Sequence, residues 1–207
     1  MTLALVAVSC SPGESGSQVE GLCGPSADSS AGRSLREVLG TDDFSTKVMQ
    51  SDERFVREFK ADLKEWQGGK NSTTPSYLCT YLPEGSEGRV VLDFAWSPTE
   101  ELSRQRAQGG RFYDLNGASG RNGDLSSALF VTCDLGGELS SPSSKVLLRA
   151  DAALTVNRGE NLSPEREVRQ LSFLYLMTRE VTDVLGCENK PLKDEPVVKP
   201  LTAGAAS

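Results

Sequence analysis

The absence of histidine decides most of what this chain could catalyse. Ser-His-Asp and Cys-His catalysis, histidine general bases and the usual histidine-containing zinc sites all need an imidazole. A serine nucleophile would then need a lysine base, but no lysine has a serine three residues before it, so the SxxK motif is missing. We therefore expect no catalytic residue, no cofactor and no enzymatic activity.

The segment Gly117–Arg121 (GASGR) comes closest to the GxSxG nucleophile elbow, but it ends in arginine instead of glycine. It also lies in a stretch rich in Gly and Asn, without a strand before it or a helix after it. We interpret it as a loop.

The same stretch, DLNGASGRNGD, offers oxygen ligands of the kind that calcium prefers, at Asp114, Asn116, Asn122 and Asp124. The spacing is not that of an EF-hand loop. Asn, Asp and Gly are also the residues of ordinary solvated turns. We therefore predict turns here and no metal site.

Two pairs of adjacent carboxylates, Asp42/Asp43 and Glu100/Glu101, are candidates for acid/base hydrolysis. Adjacent acids are common on protein surfaces, and no Trp/Tyr-rich stretch indicates a sugar-binding cleft. A carboxylate-dependent extracytoplasmic hydrolase remains the alternative function, and a purely structural envelope protein is the third.

Arg111, Phe112 and Tyr113 are the candidate binding residues, because a cation and two aromatic rings stand side by side, as in many interface hot spots. They fall in a long segment, Ser97–Ser127, which we predict to be a loop carrying any binding surface, with a short polar helix at Glu100–Gln108. The competing interpretation is that Phe112 and Tyr113 only pin this loop to the domain. Three further arginines lie within this segment, and they could contact an anionic partner or simply be solvated: Arg104, Arg106 and Arg121.

Length and charge restrict the class of protein further. The 207 residues suit one domain, and 25% charged with 37% hydrophobic residues is typical of a globular chain. With 22 Lys and Arg against 29 Asp and Glu, the net charge of −7 repels a phosphate backbone. We expect a monomer that does not bind nucleic acid.

The N-terminus indicates export. Met1–Ser9 is an apolar run too short to span a bilayer and similar to the core of a signal peptide. Small residues precede Cys10, as in a bacterial lipoprotein signal, so we expect Cys10 to be lipidated. We also expect the natural reading frame to begin upstream, which would restore the missing basic residues. A frayed apolar terminus or a buried first strand is the alternative.

The remaining four cysteines are even in number and widely spaced, without a CxxC motif. In an exported chain this indicates two disulfides, whereas in a cytosolic chain they would be buried thiols. Three connectivities are open. We favour Cys23 with Cys79 and Cys133 with Cys187, because each pair would tie an outer helical region to a strand.

Hydrophobic periodicity and capping signals give the elements. We predict an α+β fold in which an antiparallel sheet of about four strands packs against two or three helices. The domain limits are a signal-like segment at 1–9, a flexible tether at 10–20, the α+β domain at 21–188 and a Pro-rich disordered tail at 189–207. The predicted helices are Asp28–Leu39, Ser51–Trp66 and Ser163–Leu185, and the strands are Ser76–Leu82, Arg89–Trp96, Leu129–Leu135 and Lys145–Val156.

Several sequence blocks together resemble an uncharacterised family of actinobacterial secreted proteins and lipoproteins. The carrying blocks are LCG at 22–24, RSLREVLGTDDF at 33–44, FVTCDL at 130–135, RQLSFLYLMTREVTDVLGCEN at 169–189 and KPLKDEPVVKP at 190–200. The resemblance covers residues 22–200 and implies an exported or lipid-anchored α+β domain. It implies no activity or ligand. We therefore expect a non-catalytic binding module at the cell envelope, attached to the membrane only by lipid, with an envelope protein as its partner.

Overall fold

The computed structural model describes residues 21–66, 68–123, 125–155 and 163–201, and their backbone is organised by one antiparallel sheet. Eight strands lie in the order β1-β2-β3-β7-β6-β5-β4-β8, and every neighbouring pair is antiparallel. The strands are β1 (Phe44–Val48), β2 (Ser76–Pro83), β3 (Val90–Pro98), β4 (Arg111–Leu115), β5 (Ala118–Asn122), β6 (Ser126–Val131), β7 (Val146–Leu154) and β8 (Val198–Pro200).

Helices and side-chain caps agree closely with the sequence signals. Ser29, Ser51 and Ser163 each cap a helix by accepting a hydrogen bond from an amide in its first turn. Gly40 and Gly186 end two of the helices in the left-handed conformation that glycine favours. The helices are α1 (Ser30–Leu39), α2 (Asp52–Glu65), α3 (Thr99–Ala107), α4 (Ser140–Ser143) and α5 (Pro164–Leu185), and a 3-10 turn covers Gly137–Leu139.

The α+β class, the antiparallel sheet and two disulfides are confirmed, but the predicted numbers of elements are wrong. The described residues form eight strands instead of about four, and five α-helices instead of two or three. The additional strands are short or lie at sheet edges, and such segments lack the long apolar alternation on which the prediction depended.

The two faces of the sheet differ in character because side chains alternate along each strand. On the inner face, the apolar residues of β3 and β7 pack with α1, α2 and α5 in the main core. Trp96 stacks on Phe59 with ring centroids 4.7 Å apart, and its indole N–H donates to the Phe59 carbonyl at 2.8 Å. The outer face is largely polar, and α3 covers part of it by placing Leu102 on a small apolar cluster: Ala128, Phe130 and Leu147.

The short polar helix predicted at Glu100–Gln108 is confirmed, because α3 covers Thr99–Ala107. The prediction that the rest of Ser97–Ser127 is a loop is wrong, because this segment also contains the hairpin of β4 and β5. The hairpin turns at Asn116 and Gly117, which both have positive φ. Asn-Gly between two strands is a strong hairpin signal, since a tight turn of this kind needs positive φ at both central residues. Any binding surface on this segment therefore belongs to the sheet and its covering helix.

The Pro-rich segment after Cys187 is more structured than the sequence indicated. Leu192 is buried, and Val198–Pro200 forms β8 at the edge of the sheet beside β4. Proline is tolerated there because an edge strand leaves some amides unpaired. Residues 202–207 of the predicted tail lie outside the described residues.

Both favoured disulfides are present. Cys23–Cys79 joins the segment before α1 to β2, and Cys133–Cys187 joins the end of β6 to the residue after the α5 cap. Each closes a large loop of chain, with sequence separations of 56 and 54 residues. The two bridges suggest an oxidising, extracytoplasmic environment. Among the described helices, none is long and apolar enough to cross a bilayer.

Candidate functional site

The predicted binding residues Arg111 and Tyr113 are engaged inside the molecule. Both lie on β4 and contact Glu167, a buried residue in the first turns of α5. Arg111 Nη2 lies 2.5 Å from Glu167 Oε1, and the Tyr113 hydroxyl donates to the other carboxylate oxygen. Burial, followed by the contact with Glu167, raises the pKa of Tyr113 to about 12. These contacts join β4 to α5. They agree with the competing interpretation, in which residues of this segment pack against the domain.

Phe112 points to the opposite face of the sheet from Arg111 and Tyr113. It is buried there, with the Arg106 guanidinium 5.9 Å from its ring centroid. Arg106 also donates to the Ser119 hydroxyl at 3.2 Å. The structure therefore separates the three predicted residues between two faces, and they do not form one exposed surface.

Two of the candidate calcium ligands, Asp114 and Asn116, form hydrogen bonds within the β4–β5 hairpin and to the segment beside it. Asp114 accepts the Gly117 amide in the turn at 3.2 Å. Asn116 donates to the Glu195 carbonyl at 2.7 Å, whereas Asn122 lies at the other end of the hairpin. Asp124 lies outside the described residues. Within the described ranges, no three acidic, cysteine or histidine side chains come together as a metal site.

The other sequence candidates are also used locally. Ser119 of the GASGR segment lies within β5, in a strand and not at a strand-to-helix turn. Asp42 pairs with Arg36 at 3.1 Å. Glu101 pairs with Arg104 at 2.8 Å, so one member of each acidic pair is held by a neighbouring arginine.

A different pair of carboxylates, which the sequence analysis missed, faces each other on the outer face of the sheet. Asp93 on β3 and Asp151 on β7 are direct cross-strand neighbours. Arg149 holds Asp151 with two contacts, Nε–Oδ2 at 2.6 Å and Nη2–Oδ1 at 2.8 Å. Like charges in such a position repel each other. Burial, followed by the charge of Asp151 and opposed by Arg149, raises the pKa of Asp93 to about 6.

A concave pocket lies at the end of the sheet where β3 finishes and β7 starts. Its volume is about 770 Å³, and its walls come from the end of α2, residues 68–70, the first turn of α3 and the start of β7. Trp66, which follows the last residue of α2, packs partly on the core and lines this space. We call it the Trp66 pocket. Its lining includes Trp66, Lys70, Thr99, Glu100, Arg104 and Lys145.

Hydrogen bonds hold the walls of the Trp66 pocket in place. Arg104 Nη2 donates to the Lys70 carbonyl at 2.6 Å, which ties α3 to the chain after α2. A few residues later, Thr73 and Trp96 exchange two hydrogen bonds: the Thr73 amide donates to the Trp96 carbonyl at 2.8 Å, and the Trp96 amide donates to the Thr73 hydroxyl at 3.0 Å. These hydrogen bonds restrict the walls of the pocket, and ordered walls lower the entropy cost of binding.

The polar lining of the Trp66 pocket consists mainly of cations and hydrogen-bond donors. Arg104 is already paired with Glu101. Lys70 and Lys145 have no carboxylate within ion-pair distance among the described residues. Glu100 is the carboxylate that faces them from the lining. This local positive charge contrasts with the net charge of −7 of the whole chain.

The first turn of α3 adds hydrogen-bond donors to the lining of the Trp66 pocket. Pro98 occupies the N-cap position and provides no side-chain hydrogen bond to the helix. The first amides of a helix have no partner within it, and the helix dipole makes this end positive. Thr99 and Glu100, which carry these amides, line the pocket.

A smaller side pocket of about 330 Å³ adjoins the Trp66 pocket and shares Trp66, Gly68 and Lys145 with it. Its charged residues neutralise each other, since Lys64 Nζ lies 2.7 Å from Glu138 Oε2. This pair bridges α2 and the 3-10 turn.

No single sequence signal could have revealed the Trp66 pocket. Trp66 is only the last residue of the predicted helix Ser51–Trp66, and Lys70 and Lys145 are far apart in the chain. Only the pairing of β3 with β7, which brings Pro98 opposite Val146, places their neighbourhoods together.

Comparison of the chain with protein-family models, with curated proteins and with solved structures finds no match. The functional argument therefore depends on the residues and the geometry described above.

Proposed function

We propose that this protein is an extracytoplasmic, lipid-anchored binding module without catalytic activity, and that it holds a ligand of the cell envelope in the Trp66 pocket. The observation that carries the proposal is the pocket itself, whose lining includes an indole ring and two lysines without a carboxylate at ion-pair distance among the described residues, and whose volume suits an organic molecule. In this proposal the Trp66 pocket replaces the predicted binding surface Arg111–Tyr113. Two of those three residues, Arg111 and Tyr113, already contact Glu167 inside the molecule.

The extracytoplasmic part of the proposal is supported by the two disulfides. The lipid anchor is supported by the sequence alone, namely the apolar run before Cys10 and the resemblance to actinobacterial lipoproteins. Cys10 lies outside the described residues.

The non-catalytic part is supported by the chemistry of the lining. A pocket of cations, amides and one indole can bind and orient a ligand, but Glu100 is the single carboxylate among its lining residues. The chain contains no histidine that could act as a base beside it.

The two tryptophans make the proposal testable without labelling a ligand. Trp96 is fully buried and bonded to Phe59, whereas Trp66 lines the pocket. In a ¹⁵N spectrum, we expect soluble glycan and peptide fractions of a cell-envelope digest to move the Trp66 indole resonance saturably and to leave that of Trp96 in place. The Trp66→Leu variant should lose the interaction. If no fraction moves the Trp66 resonance, the proposal is wrong.

One observation favours the alternative of a carboxylate-dependent hydrolase, namely the facing pair Asp93 and Asp151. These residues line neither pocket described above, and Arg149 occupies both oxygens of Asp151. Hydrolysis of chromogenic glycosides or esters by the wild type, lost in both Asp93→Asn and Asp151→Asn, would establish the hydrolase instead of the binding module.

A further inference from the structure

We infer that the ligand of the Trp66 pocket is an organic phosphate, with its phosphate group on Lys70, Lys145 and the first amides of α3, and its organic body against Trp66. This inference deepens the proposed function and rests on it. It assigns the chemical class of ligand from the donors that line the pocket.

The first step is the charge of the available groups. Arg104 is held by Glu101 and by the Lys70 carbonyl, so its planar guanidinium is not available for a two-pronged contact with a carboxylate ligand. The cations that remain are the two lysines, which act as point charges and bind phosphate without a strict geometry. An anionic ligand is favoured over a neutral or cationic one.

The second step is the number of donors. Each lysine carries three N–H groups, and the start of α3, which has no side-chain cap, adds backbone amides to the lining of the same pocket. A carboxylate has two oxygens to accept them, whereas a terminal phosphate has three and carries a charge of about −1.5 to −2. Phosphate therefore matches this set of donors better than carboxylate.

The third step is the size of the pocket. A volume of about 770 Å³ lies within the range of sites for whole organic molecules, about 300 to 1,000 Å³, and far exceeds what inorganic phosphate would fill. Trp66 is the aromatic residue in the lining, and an indole offers a flat apolar surface to a sugar ring or another compact body. The ligand should therefore carry its phosphate on such a body.

The experiment is a titration of the purified protein with five small probes, followed through the indole resonances of Trp66 and Trp96. The probes are glucose 6-phosphate, glucose, glucuronate, glycerol 3-phosphate and inorganic phosphate. We expect glucose 6-phosphate to bind most tightly and to move the Trp66 resonance alone. Glucuronate and inorganic phosphate should each bind at least about tenfold more weakly, and glucose should not bind.

Three substitutions test the assigned donors. Lys70→Gln and Lys145→Gln should each weaken glucose 6-phosphate about tenfold, which is the effect of losing one charge-assisted contact. Lys47→Gln is the matched control, because Lys47 is an exposed lysine on β1 that does not line the pocket. An unchanged Trp96 resonance in each variant shows that the fold is intact.

Several results would overturn the inference. Equal binding of glucose and glucose 6-phosphate would remove the role of the phosphate, and stronger binding of glucuronate would make the ligand a carboxylate. Equal weakening by Lys47→Gln would show only general attraction to cations. If all five probes fail but envelope fractions still move the Trp66 resonance, the phosphate assignment is wrong while the binding function stands.

Discussion

Asp93 and Asp151 show how the outer face of the sheet tolerates two carboxylates in adjacent strands. Arg149 contacts both carboxylate oxygens of Asp151. The pKa of Asp93 is raised because Asp93 is partly buried and lies beside the charge of Asp151. Its pKa rises to about 6, against a usual value near 3.8. At neutral pH this residue therefore carries a charge that the folded protein disfavours.

The first prediction concerns the pH dependence of stability. A carboxyl group whose pKa is higher in the folded chain binds its proton more tightly there, so its penalty is present at neutral pH and disappears as the pH falls from about 6 toward 4. Asp93→Asn should raise the free energy of unfolding at pH 7.5 by about 1 kcal/mol, after allowance for solvent screening. Urea unfolding at pH 7.5 and pH 4 measures this, with Asp43→Asn as the exposed control. A gain that is the same at both pH values would contradict the assignment.

The second prediction concerns Arg111 and Tyr113, two of the candidate binding residues of the sequence. Replacing both by alanine would leave the Glu167 carboxylate buried without the two groups that contact it. We expect a loss of about 3 kcal/mol in the free energy of unfolding, as when a buried ion pair is broken. Arg106→Ala, which removes an exposed guanidinium near Phe112, should cost less than about 1 kcal/mol. If the thermal stability of the double variant were nearly unchanged, the packing role would be wrong and these two residues would again be candidates for a binding surface.

Among the elements, the helices were the most predictable. α2 and α5 have long apolar stripes, serine caps and glycine or proline signals at their ends, and their bounds agree with the prediction to within a residue or so. The strands β2, β3, β6 and β7 were found for a similar reason, because their core positions are occupied by apolar residues. The local sequence pattern was therefore enough to predict an element wherever that element buries much apolar surface.

The elements that the sequence missed depend on contacts far away in the chain. β8 ends in a proline and forms because β4 provides a sheet edge with which it can pair. The hairpin of β4 and β5 did carry a local signal, Asn116–Gly117, which was interpreted as a turn within a long loop instead of as the turn between two paired strands. The Trp66 pocket had none, since its lysines meet only through the pairing of β3 and β7.

The third prediction tests the packing of β5 against α5. A Cβ atom at Gly120 would lie 2.5 Å from Leu115 Cδ1 and 3.1 Å from Leu171 Cδ2, and both leucines are fully buried. Gly120→Ala should therefore lower the free energy of unfolding by about 1 to 3 kcal/mol, the usual cost of overpacking. Gly69→Ala is the control, because no atom lies within 4 Å of a Cβ placed there. Equal denaturation midpoints for both variants would show that β5 and α5 are less closely packed than described.

At the scale of the whole molecule, the two disulfides tie the ends of the described chain to the sheet. Cys23 fixes the entry to the domain on β2, and Cys187 fixes the exit from α5 beside β6. Both bridges are buried, so a reductant reaches them only when the fold opens.

The fourth prediction is that protein isolated from its native compartment has no free thiol among Cys23, Cys79, Cys133 and Cys187. Thiol counting after denaturation without reductant measures this. In the chain-entropy model, replacing Cys133 and Cys187 by alanine should lower the free energy of unfolding by about 4 kcal/mol, because the loop they close is long. Four titratable thiols in the native protein would contradict both the bridges and the oxidising environment.

The fifth prediction concerns how the whole molecule is held at the envelope. Each methylene of an acyl chain buried in the bilayer contributes about 0.8 kcal/mol, and one chain alone gives only marginal binding, so two chains on Cys10 would be needed for a stable anchor. We expect protein expressed from a reading frame extended upstream to partition into detergent, with an intact mass that shows lipid on Cys10. Cys10→Ala should move the protein to the aqueous phase, because it removes the residue that would carry the lipid. An unmodified Cys10 in such cells would exclude the lipid anchor, while the disulfides and the Trp66 pocket would still describe an exported binding module.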